Sequence, residues 1–456
     1  MTTRRLFHQV IATLLLASFV GNSSSAEDKT NRLNNWGQWR GPLSNGVAPF
    51  ANPPTSWSET KNVKWKQPIP GLGHSTPVVW GDQIYLSSAI PTGTPLPPRY
   101  SDAPGAHDNS PITHRQQFVA VAVNRNDGSL LWKKILNEQL PHEGAHFSGS
   151  LASNSPATDG ELSFFFFGSY GLYCLDRDGK TVWSKQLGLQ NTKHGHGEGS
   201  SPVLHQNVLA VNWDHEGQSF IVAFDKRTGR ELWRSERKEV TSWASPIVVV
   251  HEGVPQLIVS GTDRLRAYHL ETGKTLWECG GLSANVVASP VAGNGMVFAG
   301  SSYDTRALLA IRLNGATGDI TGSNNVAWTR TRATPYVPSP LLYKGAIYFL
   351  RHYQGILTRL DARTGQETAG PFRLGPIRDI YASPVAAAGR IYFVDLDGTA
   401  LVLSDDKRPQ VLSLNQLNDH FSASPALVGE ELFLRGQNYL YCLKNDESPK
   451  KDRADP

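Results

Sequence analysis

Short apolar segments, separated by turn-forming residues, recur along nearly the whole chain. Segments such as residues 346–350 and 391–394 are about five residues long and follow glycine-containing turns. Residues 63–66 alternate apolar and polar side chains instead, as expected of a half-exposed strand. Beyond residue 26 we find no apolar segment with the period of a helix. The pattern therefore predicts an all-β protein.

A Ser-Pro dipeptide, or Ser-Thr-Pro in the first case, opens each of eight repeats. The prolines are Pro77, Pro156, Pro202, Pro246, Pro290, Pro340, Pro384 and Pro425. Successive prolines are 79, 46, 44, 44, 50, 44 and 41 residues apart. The first interval is long because the proline-rich residues 89–116 are inserted in the first repeat. Repeats at such a period stack into one structural unit.

Four strands are predicted in each repeat, and the last of them is expected to end at a tryptophan. These tryptophans are Trp132, Trp183, Trp233, Trp277 and Trp328. Four short strands in a repeat of this length are typical of a propeller blade. The eighth repeat stops after its third strand, and residues 63–66 supply the missing one, with Trp65 in the signature position. The sequence thus predicts an eight-bladed β-propeller whose ring is closed by the N-terminal strand pairing with the last blade.

The N-terminus has the features of an export signal. Arg4 and Arg5 precede a short apolar run, and small residues precede a cleavage site after Ala26. The apolar run is too short to span a bilayer, and we predict no transmembrane segment. The two arginines fit either a general or a twin-arginine export signal. We therefore predict an exported, soluble protein of the periplasm or the cell exterior, and a monomer.

Four regions follow from these boundaries. They are a signal peptide at 1–26, an irregular leader rich in Trp and Pro at 27–62, the propeller at 63–443 with its insert at 89–116, and a disordered tail at 444–456.

Charge and cysteine content narrow the function classes. The formal net charge is +4, and the chain has no run of Lys or Arg, so nucleic-acid binding is not expected. Cys174, Cys279 and Cys442 are the three cysteines. Cys174 and Cys442 occupy the same place in distant repeats, so we expect all three to be free, buried apolar residues.

The pattern Ala-x-Asp-x-x-Thr-Gly-x-x-x-Trp is complete at residues 223–233 and recurs with changes at 267–277 and 122–132. It resembles the tryptophan-docking repeat of the pyrroloquinoline-quinone propeller superfamily. That superfamily includes quinone-dependent alcohol and sugar dehydrogenases, and also the propeller subunit of the bacterial outer-membrane protein assembly machine. The dehydrogenases resemble one another in a pair of adjacent cysteines, which this chain lacks. The resemblance therefore favours the assembly type, with no required cofactor and no pyrroloquinoline quinone.

Candidate functional residues lie in the loops before the Ser-Pro openings and between the second and third strands of each repeat. In a propeller these two sets of loops meet on one face. The candidate ligand-binding residues there are His74, His142, His146, His196, Glu198, Trp213, Asp214, His215, Glu216, Trp243, Arg351 and His352. Residues 213–216 are the leading candidates, because three ionisable residues in a row replace a plain turn. Glu198, Asp214 and His215 are the candidate ligands for a divalent metal such as Ca²⁺.

Three functions fit this sequence. The leading hypothesis is a binding or scaffolding module whose face rich in His, Asp and Trp takes an envelope protein or a carbohydrate-like ligand. A quinone-dependent oxidoreductase of alcohols or sugars and a metal-dependent hydrolase are the alternatives. No catalytic residue is assigned.

Overall fold

The computed structural model describes residues 30–446, which form eight four-stranded antiparallel sheets arranged as the blades of a propeller. The predicted signal peptide and the tail from residue 447 onward lie outside these residues. Residues 444–446 bond to Asn62 through the amides of Lys444 and Asp446. The all-β, eight-bladed prediction is confirmed.

In each blade the first strand lies innermost and the fourth outermost, and the inner strands of neighbouring blades pack together. Blades 1 to 4 consist of the following strands: Val78–Trp80, Gln83–Thr92, Arg115–Asn124 and Leu130–Gln139; Ala157–Thr158, Leu162–Phe166, Leu172–Asp176 and Thr181–Lys185; Val203–His205, Val208–Trp213, Ser219–Asp225 and Glu231–Arg237; Ile247–His251, Val254–Gly261, Arg264–His269 and Thr275–Gly280. Gly318–Asp319 adds a fifth, parallel strand to blade 4.

Blades 5 to 8 follow the same order. Their strands are Val291–Gly293, Met296–Ser301, Ala307–Arg312 and Val326–Arg330; Leu341–Tyr343, Ala346–Leu350, Ile356–Asp361 and Glu367–Arg373; Val385–Ala387, Arg390–Val394, Thr399–Ser404 and Val411–Gln416; Ala426–Val428, Glu431–Arg435, Tyr439–Leu443 and Val63–Pro68. Val63–Pro68 pairs antiparallel with Tyr439–Leu443. The predicted closure of the ring is therefore confirmed.

Within residues 30–446, helical structure is limited to single turns at 30–33, Gly168–Tyr170 and Lys193–Gly195. In the insert, residues 89–92 and 115–116 extend the second and third strands of blade 1, which leaves a loop at 93–114. That loop pairs Asn109–Ser110 with Ala145–His146, the segment that leads into blade 2. The insert thus lies along the face that carries the loops named above.

The signature tryptophan stands third in the fourth strand, not at its end as predicted from the sequence. Trp183, for example, follows Thr181 and Val182, and Trp65 holds the same place in Val63–Pro68. The strand continues past the tryptophan because the ring packs on the neighbouring blade and leaves the backbone free to pair with the third strand.

Each signature tryptophan except Trp277 fastens its blade to the next one. The Trp183 ring N–H donates to the carbonyl of Lys226 at 2.8 Å, and Trp65, Trp132, Trp233 and Trp328 make the equivalent bond at 2.8 to 3.0 Å. Gly229 lies over the Trp183 ring with a φ of +67°, and a Cβ there would come within 2.7 Å of the ring. Trp277 bonds Gln256 of its own blade instead. The contact of a signature tryptophan with the turn of the next blade, as between Trp183 and Gly229, is called the tryptophan latch below. It is the reason that the Thr-Gly turn needs glycine.

The Ser-Pro openings form a second set of links at the centre of the ring. The backbone N–H of Ser201 donates to the hydroxyl of Ser245 at 2.8 Å, and six equivalent bonds lead from Thr76 round to Ser424. Between blades 8 and 1, Arg435 makes the link: its buried guanidinium bonds Ser75, Ser88 and the carbonyl of Ser87. All three cysteines are free and buried, as expected.

Candidate functional site

A funnel of about 700 Å³ opens at the centre of the face where the two sets of loops meet, called the top face below. Its wall includes six of the twelve candidate residues: His74, His146, His196, Glu198, Trp243 and His352. A cavity of this size matches those that hold small ligands in other proteins.

The leader closes the funnel from below. Arg40 is buried on the axis, where its guanidinium donates to the carbonyls of Pro340 and Pro384 at 2.7 Å each. Trp36 pairs with Val79 of blade 1, and Gln38 accepts a bond from the amide of Leu204 in blade 3. Because these contacts reach blades on several sides, the leader is a plug, and Trp39 within it forms part of the funnel floor.

Six serine hydroxyls of the Ser-Pro openings line the funnel above this floor. They belong to Ser201, Ser245, Ser289, Ser339, Ser383 and Ser424, all buried. Each accepts the interblade bond described above, and within residues 30–446 none of them donates a hydrogen bond. A hydroxyl has one proton to donate besides its lone pairs, so this serine ring offers donors to the funnel.

Aromatic side chains form a continuous arc on the wall formed by blades 5 to 7. Tyr353 and Tyr381 stack with ring centroids 5.5 Å apart and planes 6° from parallel. His352 lies 4.8 Å from Tyr336, which stacks in turn on Tyr303 at 6.1 Å. We call these five residues the aromatic arc.

Four histidines meet on the opposite side of the mouth. The rings of His107 and His194 are 4.8 Å apart, and His196 lies 4.9 Å from His107 and 4.8 Å from His146. Burial lowers the pKa of His196 to about 4 and also lowers the pKa of His146. The imidazoles of His146 and His196 are therefore neutral at pH 7 and supply polar, uncharged atoms to the wall.

The ionisation of Glu198 and His74 is also changed by burial. Burial raises the pKa of Glu198 to about 8, although the amide of Ser169 donates to its carboxylate at 2.7 Å. Gly168 leaves the space for that carboxylate: with a φ of +55°, a Cβ there would overlap it. Burial, with Arg435 nearby, lowers the pKa of His74 to about 4. At pH 7 both side chains are thus largely uncharged.

The segment 213–216 is held by structural contacts and does not line the funnel. Asp214 is buried and pairs with Arg237, 3.0 Å from its guanidinium, and accepts a bond from Ser242 at 2.8 Å. Both ring nitrogens of His215 bond backbone groups, including the amide of Asn191 at 3.2 Å. Glu216 bonds Thr241, and Trp213 stacks on Phe220 with ring centroids 5.6 Å apart.

Glu198, Asp214 and His215 are thus each held by separate partners. Across residues 30–446, no three or more His, Cys, Asp or Glu side chains are arranged to hold a metal ion. The structure does not bring these three side chains together as the metal site that the sequence suggested, and Asp214 is instead paired with Arg237 and bonded to Ser242.

Two further candidates lie outside the funnel wall. His142 bonds the carbonyl of Gln190 at 2.8 Å and the hydroxyl of Tyr170 at 3.2 Å. Arg351 is exposed on the loop before His352.

Sequence reasoning missed several lining residues. Trp39 comes from the leader, whose Trp-rich composition indicated docking but not its place on the axis. Asn285 was missed too: it is 4% exposed, lines the funnel, and its side-chain carbonyl has no donor within the described chain. No Lys or Arg side chain belongs to the lining residues. In the described part of the chain, no helix has the length and apolar character needed to cross a membrane.

Comparison with known proteins agrees with this architecture. The model of the family described as outer membrane protein assembly factor BamB matches residues 55–215 and 217–449. A curated relative with that name from Salmonella typhimurium is 25% identical over a 323-residue alignment, which covers 59% of this chain and 79% of the relative.

Solved structures share the fold at low sequence identity. BamB from Moraxella catarrhalis aligns with a TM-score of 0.51 at 14% identity, over 78% of this chain and 98% of that one. The quinohemoprotein alcohol dehydrogenase from Comamonas testosteroni aligns with a TM-score of 0.59 at 9% identity, over 91% and 82% of the two chains. These likenesses concern the fold alone, whereas the family model matches most of the sequence. The chain therefore belongs to the family of the outer membrane protein assembly factor BamB.

Proposed function

We propose that this protein is a non-enzymatic binding or scaffolding protein of the cell envelope that docks an envelope protein on its top face. Its family and its Salmonella typhimurium relative bear the name of an outer membrane protein assembly factor. A role in assembly requires a surface suited to a protein partner.

The observation that carries the proposal is a rim of exposed aromatic and apolar side chains around the funnel mouth. Phe147 is 63% exposed, Tyr303 and Tyr353 are also exposed, and all three line the funnel. Tyrosine and other aromatic residues are enriched where protein interfaces concentrate their binding energy. Here they surround one opening, on loops that a rigid ring holds in place.

The residues of the funnel favour binding over the chemistry of the quinone dehydrogenases. Pyrroloquinoline quinone carries several carboxylates, and a buried anion needs cationic partners. The residues that line the funnel include no Lys or Arg and include the carboxylate of Asp108. The residues present do not fit that cofactor, and we derive no redox step through it.

The proposal is tested by capture from the native envelope. Tagged wild-type protein and a Phe147→Ala variant are used to isolate partners after mild cross-linking of intact cells. Phe50→Ala is the matched control, because Phe50 is 60% exposed but lies on the opposite face. The leader bonds there to Gly429, in a turn between first and second strands.

We expect wild type and Phe50→Ala to retain the same envelope proteins, and Phe147→Ala to lose most of them. The docking proposal is refuted if Phe147→Ala retains every partner while Phe50→Ala loses them.

A further inference from the structure

The blind funnel, which shares Tyr303 and Tyr353 with the docking rim, has the chemistry of a saccharide site. We propose that it binds a neutral saccharide, with the serine ring as hydrogen-bond donors and the aromatic arc as a stacking surface. This inference goes beyond the proposed function, since a protein partner could dock on the rim without anything entering the funnel.

The hydrogen-bonding groups point to a ligand rich in hydroxyl groups. Six buried serine hydroxyls face the cavity, each with a proton that no described residue accepts. Asn285 adds the complementary group, a buried side-chain carbonyl with no donor. Leaving buried polar groups unpaired is unfavourable, so a ligand that both donates and accepts hydrogen bonds would satisfy a wall built in this way.

The aromatic groups fit the apolar faces of a sugar ring. Tyr353 and Tyr381 lie parallel in the arc, and Trp243 lines the wall of blade 4 with its ring N–H bonded to the carbonyl of Gly197 at 2.7 Å. Trp39 adds a further aromatic surface at the floor. A cavity lined by aromatic side chains with a few fixed polar groups is the usual form of a small-molecule site.

Charge decides between neutral and anionic ligands. The lining residues include the carboxylate of Asp108 and no Lys or Arg. Burial also holds the pKa of His74 and His196 near 4, so neither ring supplies a positive charge at pH 7. The lining residues thus give an acidic sugar no Lys or Arg partner, and Lys193 reaches the arc only at its end, with Nζ 5.7 Å from the centroid of the Tyr303 ring. This lining favours neutral saccharides.

The plug gives this site its closed end. Arg40 bonds carbonyls of blades 6 and 7, so the axis is blocked beneath Trp39. A chain end or a short oligosaccharide therefore fits the funnel better than the middle of a polymer.

The test is calorimetric titration of the full-length protein with maltotriose, cellotriose and tri-N-acetylchitotriose, and with trigalacturonic acid as the anionic counterpart. We expect at least one neutral trisaccharide to bind with a Kd below about 1 mM and trigalacturonic acid to bind at least tenfold more weakly. Tyr353→Ala should weaken the neutral ligand about tenfold or more. Tyr100→Ala, an exposed tyrosine outside the lining, should leave its affinity unchanged.

A second variant separates binding from folding. Asn285→Leu removes an unpaired carbonyl, so its Tm should equal or exceed that of wild type, while its affinity for the saccharide should fall. The proposal is overturned if none of the neutral trisaccharides shows binding at concentrations up to 10 mM, which is about tenfold above the expected upper limit of Kd. Equal affinity for trigalacturonic acid, or unchanged affinity in both Tyr353→Ala and Asn285→Leu, would overturn it as well. Capture of envelope proteins through Phe147 can succeed or fail independently, so the two proposals are tested separately.

Discussion

Glu198 is a carboxyl group held in the wall of the funnel, where few atoms can solvate a charge. Burial raises its pKa from 4.5 to about 8, and Glu143 adds a smaller effect in the same direction. At pH values between 4.5 and about 8, Glu198 keeps a proton in the folded protein that it has lost in the unfolded chain. Stability therefore falls as the pH rises through this window.

The Glu198→Gln variant tests this effect. Gln keeps an oxygen to accept the bond from Ser169 but carries no charge. We expect the variant to match wild type near pH 4.5 and to be about 2–4 kcal/mol more stable above pH 8, as measured by urea unfolding across this range. Stability curves that remain parallel from pH 4.5 to 9 would contradict the assigned pKa.

For single residues, the sequence predicted the face on which a side chain lies better than it predicted what that side chain does. Their positions in loops correctly predicted that Glu198, Trp243 and His352 lie on one face. It could not show that Asp214 meets Arg237, because that pair joins two strands whose side-chain directions depend on the packed blade. A run of ionisable residues in a loop is therefore weak evidence for a ligand site until its internal partners are known.

At the scale of the element, the tryptophan latch links sequence pattern to blade packing. One motif supplies both halves of each contact, since the tryptophan ends the motif of one blade and the Thr-Gly turn belongs to the next. The Trp183 ring N–H reaches the carbonyl of Lys226, and Gly229 allows the ring to lie flat against the turn. Repetition of this contact holds neighbouring blades at a fixed distance.

Trp183→Phe removes the indole N–H and leaves the carbonyl of Lys226 without its donor. We expect a loss of about 1–3 kcal/mol in the free energy of unfolding, measured by chemical denaturation. Val182→Ala is the control, because Val182 is 48% exposed on the same strand and its loss should cost less than about 0.5 kcal/mol. Equal losses in the two variants would mean that the latch does not stabilise the ring.

Most of the fold could be predicted from the sequence because each blade repeats the same local signals. The Ser-Pro openings, the turns and the tryptophans recur at one period. Such a period can be recognised without knowing which distant residues are in contact. The position of Trp183 within its strand was misjudged, since the strand continues after the last recognisable residue of the motif. The path of residues 36–48 along the axis could not be predicted, because it depends on contacts with blades hundreds of residues away in sequence.

At the scale of the whole molecule, ring closure and the plug convert a channel into a blind funnel with one open face. Val63–Pro68 completes blade 8, Arg435 links it to blade 1, and Arg40 blocks the axis. The open face carries both the exposed aromatic rim and the polar cavity. The central claim is therefore that this protein binds its envelope partner through the top face.

Site-specific photo-cross-linking in intact cells tests that claim most directly. A benzophenone side chain is placed by Phe147→p-benzoylphenylalanine on the rim, and by Phe50→p-benzoylphenylalanine on the opposite face. We predict light-dependent adducts to an envelope protein from position 147 and none from position 50. Adducts from position 50 alone, or from neither position in cells where the protein is folded and exported, would contradict it.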